Sequence, residues 1–318
     1  MKIVFLDGYT LFGDGVSDAP LRALGHVTIY DRTEPADVVA RAADAEILLV
    51  NKTRLSADTL AHLPALRLVC VAATGYDRVD VAAAARLGIT VCNCAGYSTQ
   101  SVAQLAASLI LEGVDRVGEY AASTRRGDWS EQTDFSYTLW PRLELEGKLM
   151  AVVGMGHIGR AVVRVMRPFG LRFVCVSGCD PSLLPDDVTP VSLEEAFRTA
   201  QIVSLNCPLR SDNYHMVDDS LLTLCSPSLV LVNTARGALV DEQAVARALH
   251  EGRLGAYLTD VLEQEPPSPD CPLFSAPRAY VTPHIGWATV EARTRIVCIL
   301  ADNISAFLSG SPRNVVSA

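Results

Sequence analysis

The chain has 318 residues, room for about two domains at the usual ~150 residues each. Hydrophobic residues make up 49% of it, which excludes a disordered chain; yet the most apolar helical stretch, residues 105–117, carries Glu112, Asp115 and Arg116 and falls short of the ~18 uninterrupted apolar residues of a membrane span. A formal net charge of −9 with no basic block repels phosphate backbones and anionic membranes, so neither nucleic acid nor a membrane is an expected partner.

From the N-terminus, MKIVFLDGYT enters a strand pattern directly, without the features of a secretory leader. Nine cysteines are scattered with no CxxC, so they read as buried, reduced thiols acting as small hydrophobes, with no metal site. Both observations point to a cytoplasmic protein. β-Branched or Leu-rich runs at 3–6, 27–30, 47–50, 68–71 and 90–92 alternate with helical stretches at 36–43, 57–62 and 81–87. That rhythm predicts a parallel sheet with right-handed crossovers in residues 1–98. A long helix is expected over 101–119, then an irregular connection over 125–147 that holds Trp129, Phe135, Tyr137 and Trp140. A second series of strands follows at 149–153, 173–176, 202–205, 229–232, 256–259 and 279–281, with helices at 158–168, 193–197 and 242–250. The last segment, 289–308, reads as one helix that crosses back to the first domain. The fold class is α/β, with two doubly wound parallel-sheet domains.

The strand at 149–153 runs into GMGHIG, residues 154–159, and then into a helix. Strand before and helix after give the GxGxxG pattern its mechanical meaning: Gly154 makes the tight turn, Gly156 lets a pyrophosphate approach, and Gly159 lets helix and strand pack closely. The pyrophosphate rests on the helix N-terminus, with His157 and Ile158 in the same loop. A preference for NAD needs an acidic residue at the end of the second strand, roughly 20 residues on. That position is Ser177, followed by Gly178, Cys179 and Asp180. Repulsion of a 2′-phosphate is therefore missing; Asp180 stands as a late substitute and Arg210 as the nearest candidate cation. The cofactor is NAD or NADP, with NADP expected to be accepted at least comparably.

Three strand ends in the second series carry polar residues that a plain turn does not need: Arg236 in NTARG, Asp260 and Glu265 in DVLEQEP, and His284 in TPHIGW. Ligands bind at this end of an open parallel sheet. Arg236 offers a bidentate fork for a carboxylate, His284 a proton for a carbonyl oxygen, and Glu265 a partner that keeps the imidazole charged to higher pH. These are the needs of 2-keto acid reduction. The remaining histidines, His26, His62, His215 and His250, read as solvent-facing.

With these residues in view the sequence resembles the D-2-hydroxyacid dehydrogenases nearly end to end. The matching pieces are NKT (51–53), ATGYDRVD (73–80), GITVCN (88–93), SVAQLA (101–106), LEGK (145–148), GMGHIGR (154–160), CPL (207–209), NTARG (233–237), DVLEQEP (260–266) and TPHIG (282–286). Several look most like the glycerate dehydrogenase or hydroxypyruvate reductase branch. The resemblance implies Arg236, Glu265 and His284 as the catalytic set. It also implies Asp260 at the nicotinamide carboxamide, Cys207, Thr234 and Gly286 in the cofactor cleft, and Lys52, Thr74, Gly75 and Tyr76 at the substrate. It implies a Rossmann cofactor domain, 99–287, inserted in a flavodoxin-like substrate domain made of 1–98 with the C-terminal segment 288–318. A homodimer built on the cofactor domains is implied too, with Trp129 or Trp140 reaching the partner's site.

The activity expected is hydride transfer between a nicotinamide cofactor and a small D-2-hydroxy acid or 2-keto acid, hydroxypyruvate or glyoxylate foremost. A dinucleotide-sensing, corepressor-like protein on the same scaffold and a phosphite dehydrogenase stand as alternatives. Formate dehydrogenase is disfavoured, because Glu265 stands where its histidine partner is a glutamine.

Overall fold

A computed structural model describes residues 1–317; Ala318, the last residue of the expected C-terminal segment, lies outside the described residues. The chain divides into two compact units, one made of Met1–Ser98 with the segment from Trp287 onward, the other of Thr99–Gly286.

The first unit is built on five parallel strands, β1 (Lys2–Phe5), β2 (His26–Ile29), β3 (Ile47–Val50), β4 (Leu68–Val71) and β5 (Thr90–Cys92), in the order β2-β1-β3-β4-β5. β3 and β4 are buried at every position, which is why ILLV and LVCV show no alternation: both faces of a parallel sheet are covered. The connecting helices are short: α1 (Ala19–Arg22), α2 (Val38–Ala42), α3 (Ala57–Ala61) and α4 (Val81–Arg86). Ser56 and Asp80 cap α3 and α4 by accepting from the amides of Thr59 and Ala83. The C-terminal helix (Val290–Leu308, α11 below) belongs to this unit, with Ile296, Val297, Leu300 and Ile304 buried among Ile3, Phe5, Leu49 and Cys70.

The second unit opens with helices α5 (Thr99–Asp115) and α6 (Val117–Arg126). Its strands are β6 (Leu149–Val153), β7 (Arg172–Val176), β8 (Val188–Pro190), β9 (Ile202–Leu205), β10 (Val230–Asn233), β11 (Ala256–Thr259) and β12 (Ala279–Val281), with helices α7 (His157–Met166), α8 (Leu193–Thr199), α9 (Asp219–Leu222) and α10 (Glu242–His250) between them; α11 follows β12 in the sequence. All seven strands are parallel, in the order β12-β11-β10-β9-β6-β7-β8. The winding reverses between β6 and β9, the switch point where a dinucleotide binds in such sheets. Among the described residues no helix is long and apolar enough to cross a membrane.

Three details differ from expectation. The helix expected over 101–119 breaks at Arg116, whose backbone is left-handed (φ 51°). The Glu112 carboxylate accepts from Gly118 N–H at 3.1 Å, starting a new helix there, while the Arg116 guanidinium lies 4.6 Å from the Trp140 ring centre. The edge strand β8 was not expected, since three residues ending in proline show no period to read. Not all cysteines are buried: Cys70, Cys92, Cys94 and Cys175 are, whereas Cys298 on α11 is exposed.

Candidate active site

The turn after β6 has the crowding that its glycines anticipate. A Cβ on Gly154 would lie 2.7 Å from the Cys207 amide nitrogen, and one on Gly159 would lie 2.0 Å from the Gly154 carbonyl oxygen. Gly156 faces open space, and no side chain caps the α7 N-terminus that follows it, where His157 is exposed and Ile158 half-buried. Two buried side-chain oxygens nearby, Asn206 Oδ1 just past β9 and Thr234 Oγ1 just past β10, have no hydrogen-bond partner among the described residues. Such orphans cost about 1–3 kcal/mol each, and a polar group bound at the switch point would satisfy them. An open glycine turn, uncapped helix amides and orphaned oxygens fit a dinucleotide. Asn206 was outside the expected set; its signal was the lone amide side chain between β9 and CPL.

At the end of β7, Ser177 Oγ accepts from Cys179 N–H at 3.2 Å, and Asp180 is turned away to cap the next turn through Ser182 N–H at 2.9 Å. Arg210 is exposed and forms no ion pair among the described residues. Burial pushes the half-buried Cys207 thiol up, so it stays protonated at neutral pH.

The three adjacent strand ends of β10, β11 and β12 carry Arg236, Glu265 and His284. Asn233 shapes the first turn, its side chain donating to Arg236 C=O at 2.9 Å and accepting from Ala235 N–H at 3.1 Å. Arg236 is left exposed, one guanidinium nitrogen donating to Ala235 C=O at 2.7 Å, and no described carboxylate pairs with it. Glu265 Oε1 accepts from Leu262 N–H at 3.0 Å, and Oε2 lies 2.6 Å from His284 Nδ1. A carboxylate only accepts, so Nδ1 carries the proton and Nε2 is the working nitrogen. His284 itself is left-handed (φ 53°), an unusual state for a non-glycine residue. It is held there by Asp260, 3% exposed, whose carboxylate accepts from Thr282 Oγ1 at 2.6 Å, Ile285 N–H at 2.9 Å and Gly286 N–H at 2.7 Å. Glu265 and His284 are thus bonded and Asp260 braces the histidine loop, while no hydrogen bond among the described residues joins Arg236 to either.

Substrate candidates on the first unit lie at the ends of β3 and β4. Lys52 is exposed; its amide, with those of Asn51 and Thr53, donates to the buried Asp7 carboxylate. Asp7 was not anticipated, because its partners are more than forty residues away. Thr74 is fixed by Asn93, whose side chain donates to its carbonyl at 2.7 Å; Gly75 and Tyr76 follow, the tyrosine exposed.

One expectation is corrected. His26, His62 and His250 are exposed, but His215 is only partly so: Nε2 lies 3.0 Å from Glu263 Oε2, and its ring stacks on Tyr214 at 3.9 Å. Of the aromatics in the connection after α6, Trp129, Phe135 and Trp140 are all exposed, although Trp140 packs edge-on against Tyr120.

Residues 107–286 match the family model for the D-isomer specific 2-hydroxyacid dehydrogenase NAD binding domain. A hydroxypyruvate reductase of Blautia hydrogenotrophica is 36% identical over 321 residues, covering 100% of both chains. A glycerate dehydrogenase of Methylorubrum extorquens is 36% identical over 323 residues, covering 100% of this chain and 99% of its own. Among solved structures, the TT0316 protein of Thermus thermophilus superposes with a TM-score of 0.88 at 32% identity, covering 99% of this chain and 100% of its own.

Proposed function

The chain belongs to the D-isomer specific 2-hydroxyacid dehydrogenase family, nicotinamide-dependent oxidoreductases of hydroxy and keto acids, and on that premise we propose that it reduces hydroxypyruvate or glyoxylate to D-glycerate or glycolate. The observation that carries the reading is the 2.6 Å contact between His284 Nδ1 and Glu265, beside a strand end that offers Arg236, which pairs with no carboxylate among the described residues.

When bound, the reduced nicotinamide supplies the hydride. Arg236 grips the substrate carboxylate through its planar fork and orients the keto group. His284 gives a proton from Nε2 to the carbonyl oxygen, while the Glu265 carboxylate, 2.6 Å from Nδ1, orients the ring for this donation. Gly154, Gly156, His157, Ile158 and Gly159 hold the pyrophosphate, with Ser177, Cys207, Thr234, Asp260 and Gly286 completing the cofactor set. Lys52, Thr74, Gly75 and Tyr76 bind the substrate.

With Ser177 in place of a carboxylate, NADPH is accepted at least as well as NADH. The enzyme acts as a cytoplasmic homodimer built on the cofactor domains, with Trp129 or Trp140 reaching the partner's active site. A keto-acid panel run with both cofactors tests this reading. Turnover of hydroxypyruvate or glyoxylate supports it, and a large preference for NADH in kcat/KM removes the assignment of Ser177. Tight dinucleotide binding with no turnover across the panel favours the sensor instead.

A further inference from the structure

We propose that Tyr214 and His215 are positioning residues for the catalytic pair: they clamp Glu263, and with it the loop over 261–266 from which Glu265 meets His284. The kinetic side of this proposal rests on the reductase reading above; the geometry does not.

Glu263 is held from three directions. Its Oε1 accepts from Tyr214 OH at 2.6 Å and its Oε2 from His215 Nε2–H at 3.0 Å, while its amide donates to Glu242 Oε1 at 2.8 Å. Two residues on, Glu265 returns to the same loop through Leu262 N–H, so the loop that carries the histidine's partner is pinned on both sides of residue 264. The clamp is itself anchored. His215 is left-handed (φ 50°), its N–H donating to Ala238 C=O at 2.9 Å, and Val217 N–H donates to Leu239 C=O at 3.1 Å. The segment 215–217 therefore runs along the turn that follows Arg236. Gly237 in that turn lies so close to the 262–263 peptide that a Cβ would be 1.9 Å from the Leu262 carbonyl carbon. One short segment thus fixes the Arg236 turn and the Glu265 loop against each other.

The electrostatics agree with this geometry. The hydrogen bond from Tyr214, joined by that from His215, keeps Glu263 below the usual carboxylate range. Both partners are far from Glu263 in sequence and partly exposed, so the pair adds little to global stability. Its effect is on the placement of Glu265, and displacements on the order of 1 Å can cost up to about 100-fold in rate.

The test uses Tyr214→Phe, His215→Gln and the double variant, each loaded with cofactor. The double variant is expected to lose about 5–20-fold in kcat, with cofactor Kd, KM and Tm near wild type, and each single variant less. Independently of turnover, the low-field proton resonance of the short Nδ1–H···Oε2 bond, identified by its absence in His284→Gln, is expected to weaken in the double variant. Unchanged kcat together with an unchanged low-field proton overturns the clamp, and so does a kcat loss matched by a fall in Tm or cofactor affinity. If wild type reduces no keto acid, the reductase reading fails while the proton resonance still decides the clamp.

Discussion

Asp260 fixes the conformation of His284 without touching its ring: one carboxylate grips the hydroxyl of Thr282 and the amides of Ile285 and Gly286, on either side of a left-handed histidine. Asp260→Asn puts a donor where an acceptor faces backbone N–H groups. We expect kcat to fall by about 10–100-fold, as for other losses of catalytic positioning, with a lowered Tm. Wild-type kcat in steady-state kinetics would remove Asp260 from this role.

Glu265→Gln keeps a hydrogen-bond acceptor for His284 Nδ1 but replaces the 2.6 Å carboxylate contact with a weaker neutral one. The kcat for keto-acid reduction should fall by about 10-fold, because the proton donor is then held less firmly, with cofactor Kd unchanged. A wild-type kcat means that the 2.6 Å contact has no part in holding the acid.

Among the described residues Arg236 has no carboxylate to hold, so its removal leaves no buried orphan. Arg236→Ala should raise the keto-acid KM by about 10–100-fold, the range for a lost charge-assisted hydrogen bond, with cofactor Kd unchanged in a fluorescence titration. Arg236→Lys should recover only part of this, since an ammonium cannot form the planar fork.

Glu242 is pushed up from the usual carboxylate value by burial, with Glu263 and Glu265 adding repulsion. Its folded-state pKa lies above its unfolded one, so the ionised form costs stability at neutral pH and that cost disappears as pH falls through the raised value. Glu242→Gln keeps the acceptor for Glu263 N–H and should raise Tm at pH 8 by roughly 1–3 °C. The gain should shrink towards pH 4 in thermal denaturation, and a gain that grows on acidification would contradict the sign.

Strands such as Ile47–Val50 and Leu68–Val71 were legible to the residue, because a sheet covered on both faces demands unbroken apolar runs. Glu265 and His284 were legible because strand ends in such a sheet are where polar residues need a reason, and the structure bonds the two. What period and spacing could not show were long-range pairs. Asp7 takes amides from Asn51 to Thr53, and Glu263 takes a tyrosine and a histidine 49 and 48 residues away. His215 alone in a loop carries no mark of its partner. The break at Arg116 was hidden for a related reason: the buried guanidinium lies over Trp140, a residue of another segment.

The central claim is that His284 donates the proton in keto-acid reduction, and a comparison of wild type with His284→Ala tests it most directly. Cofactor oxidation is followed by absorbance with saturating hydroxypyruvate, and dinucleotide Kd is measured on the same samples. Wild type is expected to turn over, and the variant to lose about 10²–10⁴-fold in kcat with Kd unchanged. A variant that reduces hydroxypyruvate at the wild-type rate would contradict the claim.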